Sequence, residues 1–337
     1  MALSLSVSVS VSAQAVQPSA IKLQVTELNN SLQNPWGLAF LPDGRMLVTE
    51  RKGTLKLLNA NGQMLALIQG VPEVNAEGQG GLMDVVLDPA FAVNQRIYLT
   101  FSESDANNTN RTCTAVLRAS LNVTESKLKD GVVIYRQIPK VNSSGHFGSR
   151  LVFDRNGHLF VTLGDRQSRS ERVHAQDLSR GNGKVVRITT DGKAAPANPQ
   201  FAERNAQIGI WSYGHRNVQG LAFDSAGRLW ATEFGQDTWD ELNIIEPGGN
   251  YGWPQVEGIA GQEGFIDPVQ QWRPSDASPS GIAIAADTLY IANLRGQRLR
   301  AVPLADPSTA TELLVGEYGR LRDAVAAPDG SIWILTN

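Results

Sequence analysis

Short apolar runs separated by polar turns recur along the chain and predict β-hairpins. In the copy at residues 38–50 (LAFLPDGRMLVTE), two apolar runs flank a Pro-Asp-Gly turn. Asp can hydrogen-bond its own backbone and Gly adopts a positive φ without steric cost, so this sequence favours a tight turn between two strands. The same sequence pattern occurs six times, at residues 38–50, 85–101, 151–164, 221–233, 282–293 and 324–336.

The spacing of these copies predicts an all-β fold. They recur about every forty to seventy residues, which leaves room for a second pair of strands in each repeat. Four strands per repeat and six repeats predict a six-bladed β-propeller. A β-sandwich is the alternative, but it gives no reason to repeat one phrase along the whole chain. Segment 23–28 (LQVTEL) is expected to complete the last blade. We therefore expect one propeller domain over residues 21–337.

The composition narrows the classes of function. The chain has 337 residues, of which 42% are hydrophobic and 19% charged, as in a packed globular protein. Its formal net charge of −3 provides no basic field for nucleic acid, and no apolar stretch predicts a membrane span. Cys113 is the single cysteine, so neither an intramolecular disulfide nor a cysteine zinc site is expected. The sequence also lacks a C-x-x-C-H haem motif and a nicotinamide-binding G-x-G-x-x-G.

The N-terminal residues 1–20 form a signal-like or disordered segment. A run of alternating Ser and Val ends at Ala13-Gln14-Ala15, which has the small-x-small pattern of a signal cleavage site. No Lys or Arg precedes the run. We interpret it as an atypical export signal and expect a periplasmic or secreted protein; a disordered tail is the alternative.

The third hairpin is flanked by two residues that a propeller does not require. His146 precedes its first strand (GHFGSR) and Asp165 follows its second (GDR). Both ends lie at the same edge of the sheet, so the carboxylate can orient the imidazole and raise its basicity. A general base needs this arrangement. A lone His beside glycines is more often structural, and that alternative stays open.

Other segments between the hairpins carry further candidates for ligand binding. Arg216 and Asn217 (GHRNVQG) suit a polyanionic or carbonyl-rich ligand, although a surface Arg is an equal alternative. Arg320 and Arg322 alternate on a strand and therefore point to the same side. Gly-rich loops with carboxylates at residues 232–254 offer the oxygen ligands that calcium prefers.

Taken together, these segments resemble the soluble pyrroloquinoline quinone (PQQ) dependent aldose sugar dehydrogenases of the glucose/sorbosone dehydrogenase family. The resemblance runs from residue 34 to residue 337. Its most specific parts are GHFGSRLVF, GHRNVQGLAF, DELNIIEPGGNYGWP and GRLRD. It implies a quinoprotein enzyme that oxidises aldose sugars at C1 to the lactone, with PQQ and Ca²⁺ as cofactors and an external electron acceptor.

The resemblance also implies roles for individual residues. His146 would remove the proton from the anomeric hydroxyl, Asp165 would orient it, and hydride would pass from C1 of the sugar to C5 of the quinone. Arg216 would stabilise negative charge on the quinone oxygen. The implied cofactor-binding residues are Gln79, Arg216, Asn217, Phe234, Arg295, Arg320 and Arg322, and the implied substrate-binding residues are Gln79, His146 and Trp272.

Calcium ligands follow from the same resemblance. The carbonyls of Gly235 and Gln236 would hold one ion at the quinone, and Glu241 with the Tyr251 carbonyl a second, structural ion. Phe234 stands where the family usually has a polar residue, Gln236 where it has Pro, and Arg295 where it has Lys. Two other hypotheses remain. One is a calcium-dependent, lactonase-type propeller hydrolase, and the other is a non-catalytic binding module, which Phe234 favours.

Overall fold

The structure is a computed structural model that describes residues 23–337, and it is an all-β propeller. The first sheet contains β1 (Pro35–Phe40), β2 (Met46–Glu50), β3 (Thr54–Leu58) and β4 (Met64–Leu67). The second contains β5 (Leu82–Leu87), β6 (Arg96–Ser104), β7 (Arg111–Asn122), β8 (Lys127–Arg136) and β9 (Val141–Asn142), which pairs with β7. The third contains β10 (Leu151–Phe153), β11 (Leu159–Leu163), β12 (Lys184–Ile188) and β13 (Ile210–Tyr213).

The remaining strands form three sheets. The fourth sheet contains β14 (Val218–Phe223), β15 (Leu229–Glu233), β16 (Asp240–Ile244) and β17 (Gln270–Trp272). The fifth contains β18 (Pro279–Ala285), β19 (Thr288–Asn293), β20 (Arg298–Pro303) and β21 (Thr311–Leu313), and the last contains only β22 (Leu321–Ala326) and β23 (Ile332–Thr336). The short helices are α1 (Phe91–Asn94), α2 (Arg169–Arg172) and a 3₁₀ turn, Val173–Gln176.

Each of the six copies of the repeated sequence pattern forms the first antiparallel hairpin of one sheet, as the sequence predicts. In the first hairpin, Ala39 pairs with Leu47, and the Leu41 amide donates to the Arg45 carbonyl at 2.7 Å. Gly44 occupies this turn with a φ of 84°, a conformation that a side chain would disfavour. The turn chemistry therefore fixes each hairpin locally.

The hydrophobic core is divided among the spaces between successive sheets. Buried residues of the first and second sheets, such as Leu55 and Leu99, share one cluster, and similar clusters join each later pair of neighbours. The last hairpin packs back on the first sheet, where Leu335 meets Met46 and Val48. These contacts close the sheets into a ring.

The prediction of six four-stranded blades is wrong in its count. Five sheets have four or more strands, but β22–β23 pairs with no further strand in residues 23–337. Segment 23–28 contains no strand, so it does not complete the last blade. Instead the chain next to it lies against the first sheet, because Asn29 Nδ2 donates to the Gly62 carbonyl at 2.6 Å. A hydrogen bond to the turn between β3 and β4 is thus found in place of the expected strand pairing.

The first strand of each sheet is innermost, since β1, β5, β14, β18 and β22 contact their counterparts in neighbouring sheets. Residues just before the first strand and just after the second therefore converge at one end of the ring. The expected export signal lies outside the described residues. In residues 23–337, no helix is long and apolar enough to cross a bilayer.

Candidate functional site

His146, Asp165 and Trp253 form a continuous hydrogen-bonded chain at the converging end of the sheets. His146 Nδ1 and Asp165 Oδ1 are 2.7 Å apart, and Trp253 Nε1 donates to Asp165 Oδ2 at 2.8 Å. Because an ionised carboxylate only accepts hydrogen bonds, Nδ1 carries the ring proton. The lone pair of the neutral imidazole is then at Nε2, which makes no hydrogen bond within residues 23–337. This tautomer is the one that a general base requires.

The backbone around this pair is held in unusual conformations. Four non-glycine residues here have positive φ, namely His146 (47°), Ser149 (82°), Arg166 (68°) and Gln167 (66°). Such residues persist only where the surroundings hold them in place. The Arg166 guanidinium lies 3.6 Å from the centroid of the Phe147 ring and donates to Thr112 Oγ1 at 2.8 Å. Buried packing thus fixes the segment that carries the imidazole.

Burial and neighbouring charges set the basicity of His146. Burial lowers the pKa of His146, the Asp165 carboxylate opposes that shift, and Arg216 adds to it. The imidazole is therefore neutral at neutral pH and able to accept a proton. Gln79 Oε1 accepts from the His146 amide at 2.9 Å, which joins the second sheet's leading loop to the base.

A cavity of about 180 Å³ lies beside this chain at the ring axis. Three arginines, Arg51, Arg320 and Arg322, are among the residues that line it, and no Asp or Glu side chain is among them. Aromatic rings provide flat walls. The lining residues are Trp36, Arg51, Gln79, Met83, Phe147, Gly148, Gln219, Phe234, Leu294, Arg320, Arg322 and Asn337. The arrangement suits a planar ligand with several negative charges.

A buried network of charged side chains lies next to Arg322, one of the residues that line this cavity. Arg150 Nη1 contacts Asp84 Oδ1 at 3.2 Å and Asp323 Oδ2 at 3.0 Å. Burial raises the pKa of Asp323 to about 7, and burial together with Arg150 lowers the pKa of Arg322 to about 9. Arg322 Nε is buried without a hydrogen-bond partner within the described chain. Arg150 is thus neutralised by its neighbours, whereas Arg322 presents an unpaired cation to the cavity.

A second buried network supports Arg216 and Asn217. The carboxylate of Glu233 accepts from both of their backbone amides and from His215 Nδ1, the last at 2.9 Å. His215 Nε2 is in turn 2.8 Å from Ser212 Oγ. Arg216 Nη1 donates to the Phe234 carbonyl at 3.0 Å, and its guanidinium lies 5.3 Å from the Trp253 ring. Its Nε is buried and unpaired among residues 23–337.

A smaller cavity of about 10 Å³ lies next to Arg216 and Phe234. Gly235, Glu241 and Tyr251 line it, together with two further carboxylates, Glu233 and Glu257. Burial and the charge of Glu233 raise the pKa of Glu241 to about 8. Within residues 23–337, no group of three or more His, Cys, Asp or Glu side chains has the geometry of a metal site.

The structure brings most of the sequence-predicted residues together. His146, Asp165, Arg216 and Asn217 meet at one end of the ring, beside the cavity that Gln79, Phe234, Arg320 and Arg322 line. Gly235, Glu241 and Tyr251 share the smaller cavity, while Gln236 is exposed beside it.

Two predicted residues lie apart from this group. Arg295 is exposed, and its neighbour Leu294 lines the cavity instead. Trp272 lies on β17, the outermost strand of its sheet, with Arg300 4.3 Å above its ring. Trp272 is not among the residues that line the cavity, and its role in substrate binding stays a prediction.

Sequence reasoning missed three residues of the site. Trp253 holds the far oxygen of Asp165, and Trp36 and Arg51 line the cavity. The sequence carries a signal for one of them, Arg51. Arg51, Phe234 and Leu294 each follow the second strand of a hairpin directly. Recording the residue at that position in every repeat would have found Arg51.

Comparison with known proteins agrees with this architecture. The family model described as glucose/sorbosone dehydrogenase matches residues 32–337. Aldose sugar dehydrogenase YliI of Escherichia coli (strain K12) is 38% identical, with 97% of this chain and 92% of that protein covered. Quinoprotein glucose dehydrogenase B of Acinetobacter calcoaceticus is 32% identical over 76% of this chain and 58% of that protein.

Solved structures give the same result. The PQQ-bound aldose sugar dehydrogenase of Streptomyces coelicolor has a TM-score of 0.83 and 38% identity, with 93% of this chain and 90% of that chain covered. The apo form of the soluble aldose sugar dehydrogenase of Escherichia coli has a TM-score of 0.83 and 37% identity, with 92% and 94% covered. The family match spans nearly the whole described chain, and this chain therefore belongs to the glucose/sorbosone dehydrogenase family.

Proposed function

We propose that this protein is a PQQ-dependent dehydrogenase that oxidises aldose sugars at C1 to the lactone. The observation that carries the proposal is the chain from Trp253 through Asp165 to His146, placed beside a cavity that three arginines and no Asp or Glu side chain line. The base would take a proton from the sugar, and the anion-binding pocket beside it would hold an acidic quinone. The named relatives, which are aldose sugar and glucose dehydrogenases, support the same activity.

The residues of the cavity fit PQQ. PQQ is planar and carries three carboxylates, and the cavity offers aromatic walls at Trp36, Phe147 and Phe234. Arg320 and Arg322 line the cavity as well, and their positive charges would be compensated by the carboxylates of such a ligand. We assign Gln79, Arg320 and Arg322 to holding PQQ, and Asn217 and Phe234 to shaping its pocket. Arg295 remains a prediction without a contact that supports it.

The protein's part in the reaction is proton transfer and positioning. PQQ, when bound, supplies the acceptor for the hydride of the sugar C1. His146 accepts the proton of the anomeric hydroxyl at Nε2, and the Asp165 carboxylate stabilises the imidazolium that forms. Trp253 prevents Asp165 from turning away, since it holds the second oxygen. Arg216 provides a fixed positive charge at the edge of the pocket.

We also propose that the smaller cavity and the loop beside it bind calcium. The carbonyls of Gly235, Gln236 and Tyr251 accept no hydrogen bond within residues 23–337, so their oxygens remain available to a hard cation. The carboxylate of Glu241 lies in the same cavity. Ca²⁺ there would compensate carboxylates that are now buried close together. Retention of calcium by the purified protein, measured by metal analysis before and after chelation, tests this assignment.

Reconstitution tests the function. Purified apo-protein is given PQQ and Ca²⁺, and glucose-dependent reduction of an artificial dye is followed. We expect turnover only with both additions, because the protein itself provides no redox group. His146→Ala should abolish turnover while PQQ absorbance stays with the protein. Wild-type protein that neither retains PQQ nor turns over would refute the dehydrogenase and leave a binding module. Unchanged turnover in the variant would remove His146 from its role.

A further inference from the structure

Arg51 contributes a positive charge to the main cavity at a position where the fold does not require one. It follows β2 directly, and the residues at the corresponding position after β15 and β19 are the apolar Phe234 and Leu294. All three line the same cavity. The propeller therefore tolerates an uncharged side chain at this position, and the cation of Arg51 needs another explanation.

No Asp or Glu side chain in residues 23–337 forms an ion pair with Arg51. Glu50, its neighbour in the chain, is buried and pairs with Lys56 at 2.6 Å, and it also accepts from the Gln33 amide. Burial lowers the pKa of Arg51, and no acidic group opposes that shift. A partly buried charge without a counter-charge is unfavourable unless a ligand supplies one.

The side chain of Arg51 is nevertheless well fixed. Nε donates to the Gly80 carbonyl at 3.2 Å and Nη2 to the Gly78 carbonyl at 2.7 Å, while Nη1 makes no hydrogen bond within the described residues. Gly81 lets this loop approach the backbone of Arg51 closely, because a Cβ on Gly81 would lie 2.0 Å from the Arg51 carbonyl oxygen. One edge of the guanidinium is thus anchored to the loop, and Nη1 remains for a ligand.

We infer that Arg51 is a third carboxylate-binding cation of the quinone pocket, acting together with Arg320 and Arg322. The inference rests on the proposed function, since it assigns the anion to PQQ. Arg51 lies on the first sheet and the other two belong to the last hairpin, and these sheets pack against each other. A charge-assisted hydrogen bond of this kind changes a dissociation constant by about 10- to 100-fold.

The same loop connects Arg51 with the base. Gln79 lies between the two glycines that Arg51 holds, and its side chain accepts from the His146 amide at 2.9 Å. A substitution of Arg51 can therefore act through lost charge or through a displaced loop. The test must separate these two effects.

The test measures the dissociation constant of PQQ by equilibrium dialysis with excess Ca²⁺, without any turnover. Variants are Arg51→Met, Arg51→Gln and Arg51→Lys; Arg45→Met is the matched control, because Arg45 lies at the opposite end of the same hairpin and pairs with Asp43. The trimethyl ester of PQQ serves as an uncharged probe. Thermal melts identify any variant that fails to fold.

We expect Arg51→Met and Arg51→Gln to weaken PQQ binding by about 10- to 100-fold, and Arg51→Lys to restore most of it. Binding of the trimethyl ester should change little in any of them. Equal PQQ affinity in Arg51→Gln and Arg45→Met would overturn the inference, as would an equal loss for both probes, which indicates a loop effect. Failure of wild-type protein to bind PQQ would instead refute the proposed function.

Discussion

Asp165→Asn tests the role of the carboxylate without changing its size. In the wild-type protein, Oδ1 accepts from His146 Nδ1 and the Gln167 amide, each at 2.7 Å, and Oδ2 accepts from Trp253 at 2.8 Å. Both oxygens of the carboxylate thus face donors. An amide must turn its NH₂ group towards one of these donors, so the variant loses a hydrogen bond as well as the charge.

The magnitude follows from the charge next to the imidazole. An opposite charge within about 4–6 Å shifts a pKa by roughly 1–3 units, and each unit corresponds to about 1.4 kcal/mol. If the imidazolium forms in the rate-limiting step, kcat/KM at its alkaline plateau should fall by about 10- to 1000-fold. The burial that lowers the pKa of His146 is unopposed once Asp165 is neutral. The acidic limb of the pH profile should therefore move to lower pH.

The assay is the pH dependence of kcat/KM for glucose, with the protein saturated with PQQ and Ca²⁺. Only neutral His146 accepts a proton, so activity rises with pH through its pKa, below the ordinary value of about 6.5 in the wild-type protein. Asp177→Asn is the matched control, because Asp177 is a half-buried carboxylate 3.4 Å from His174. An unchanged plateau, or a limb that stays in place or moves to higher pH, would refute the reasoning.

Two further changes test what holds the site together. Arg150→Met should cost about 3–5 kcal/mol, because it leaves Asp84 and Asp323 buried without a counter-charge. These carboxylates then have raised pKa values only in the folded state, so the loss of unfolding free energy should be smallest at low pH and grow as the pH rises. Urea unfolding at several pH values measures this loss. A loss that does not depend on pH would contradict the argument. Gly81→Ala should lower the melting temperature and the PQQ affinity together, because its Cβ would meet the Arg51 carbonyl oxygen at 2.0 Å and displace the loop. An unchanged melting temperature would show that the loop yields without cost.

The local structure of this protein could be predicted from short-range patterns in its sequence. Each hairpin depends on residues within about fifteen positions of one another, with apolar strands on either side of a turn such as Asp43-Gly44. The six hairpins were therefore predictable, and so was the meeting of His146 with Asp165, which bracket one of them. In both cases the chain between the partners is short and regular.

The contacts between the sheets, in contrast, depend on the folded ring. Ring closure depends on β22–β23 packing against the first sheet, and the number of strands in that last sheet was predicted wrongly. The hydrogen bond from Trp253 to Asp165 joins residues 88 positions apart, and the shared cavity unites Arg51 with Arg322 from opposite ends of the chain. No local sequence pattern predicts contacts between residues so far apart in the chain, because these contacts form only when the closed ring brings the strand ends to one axis.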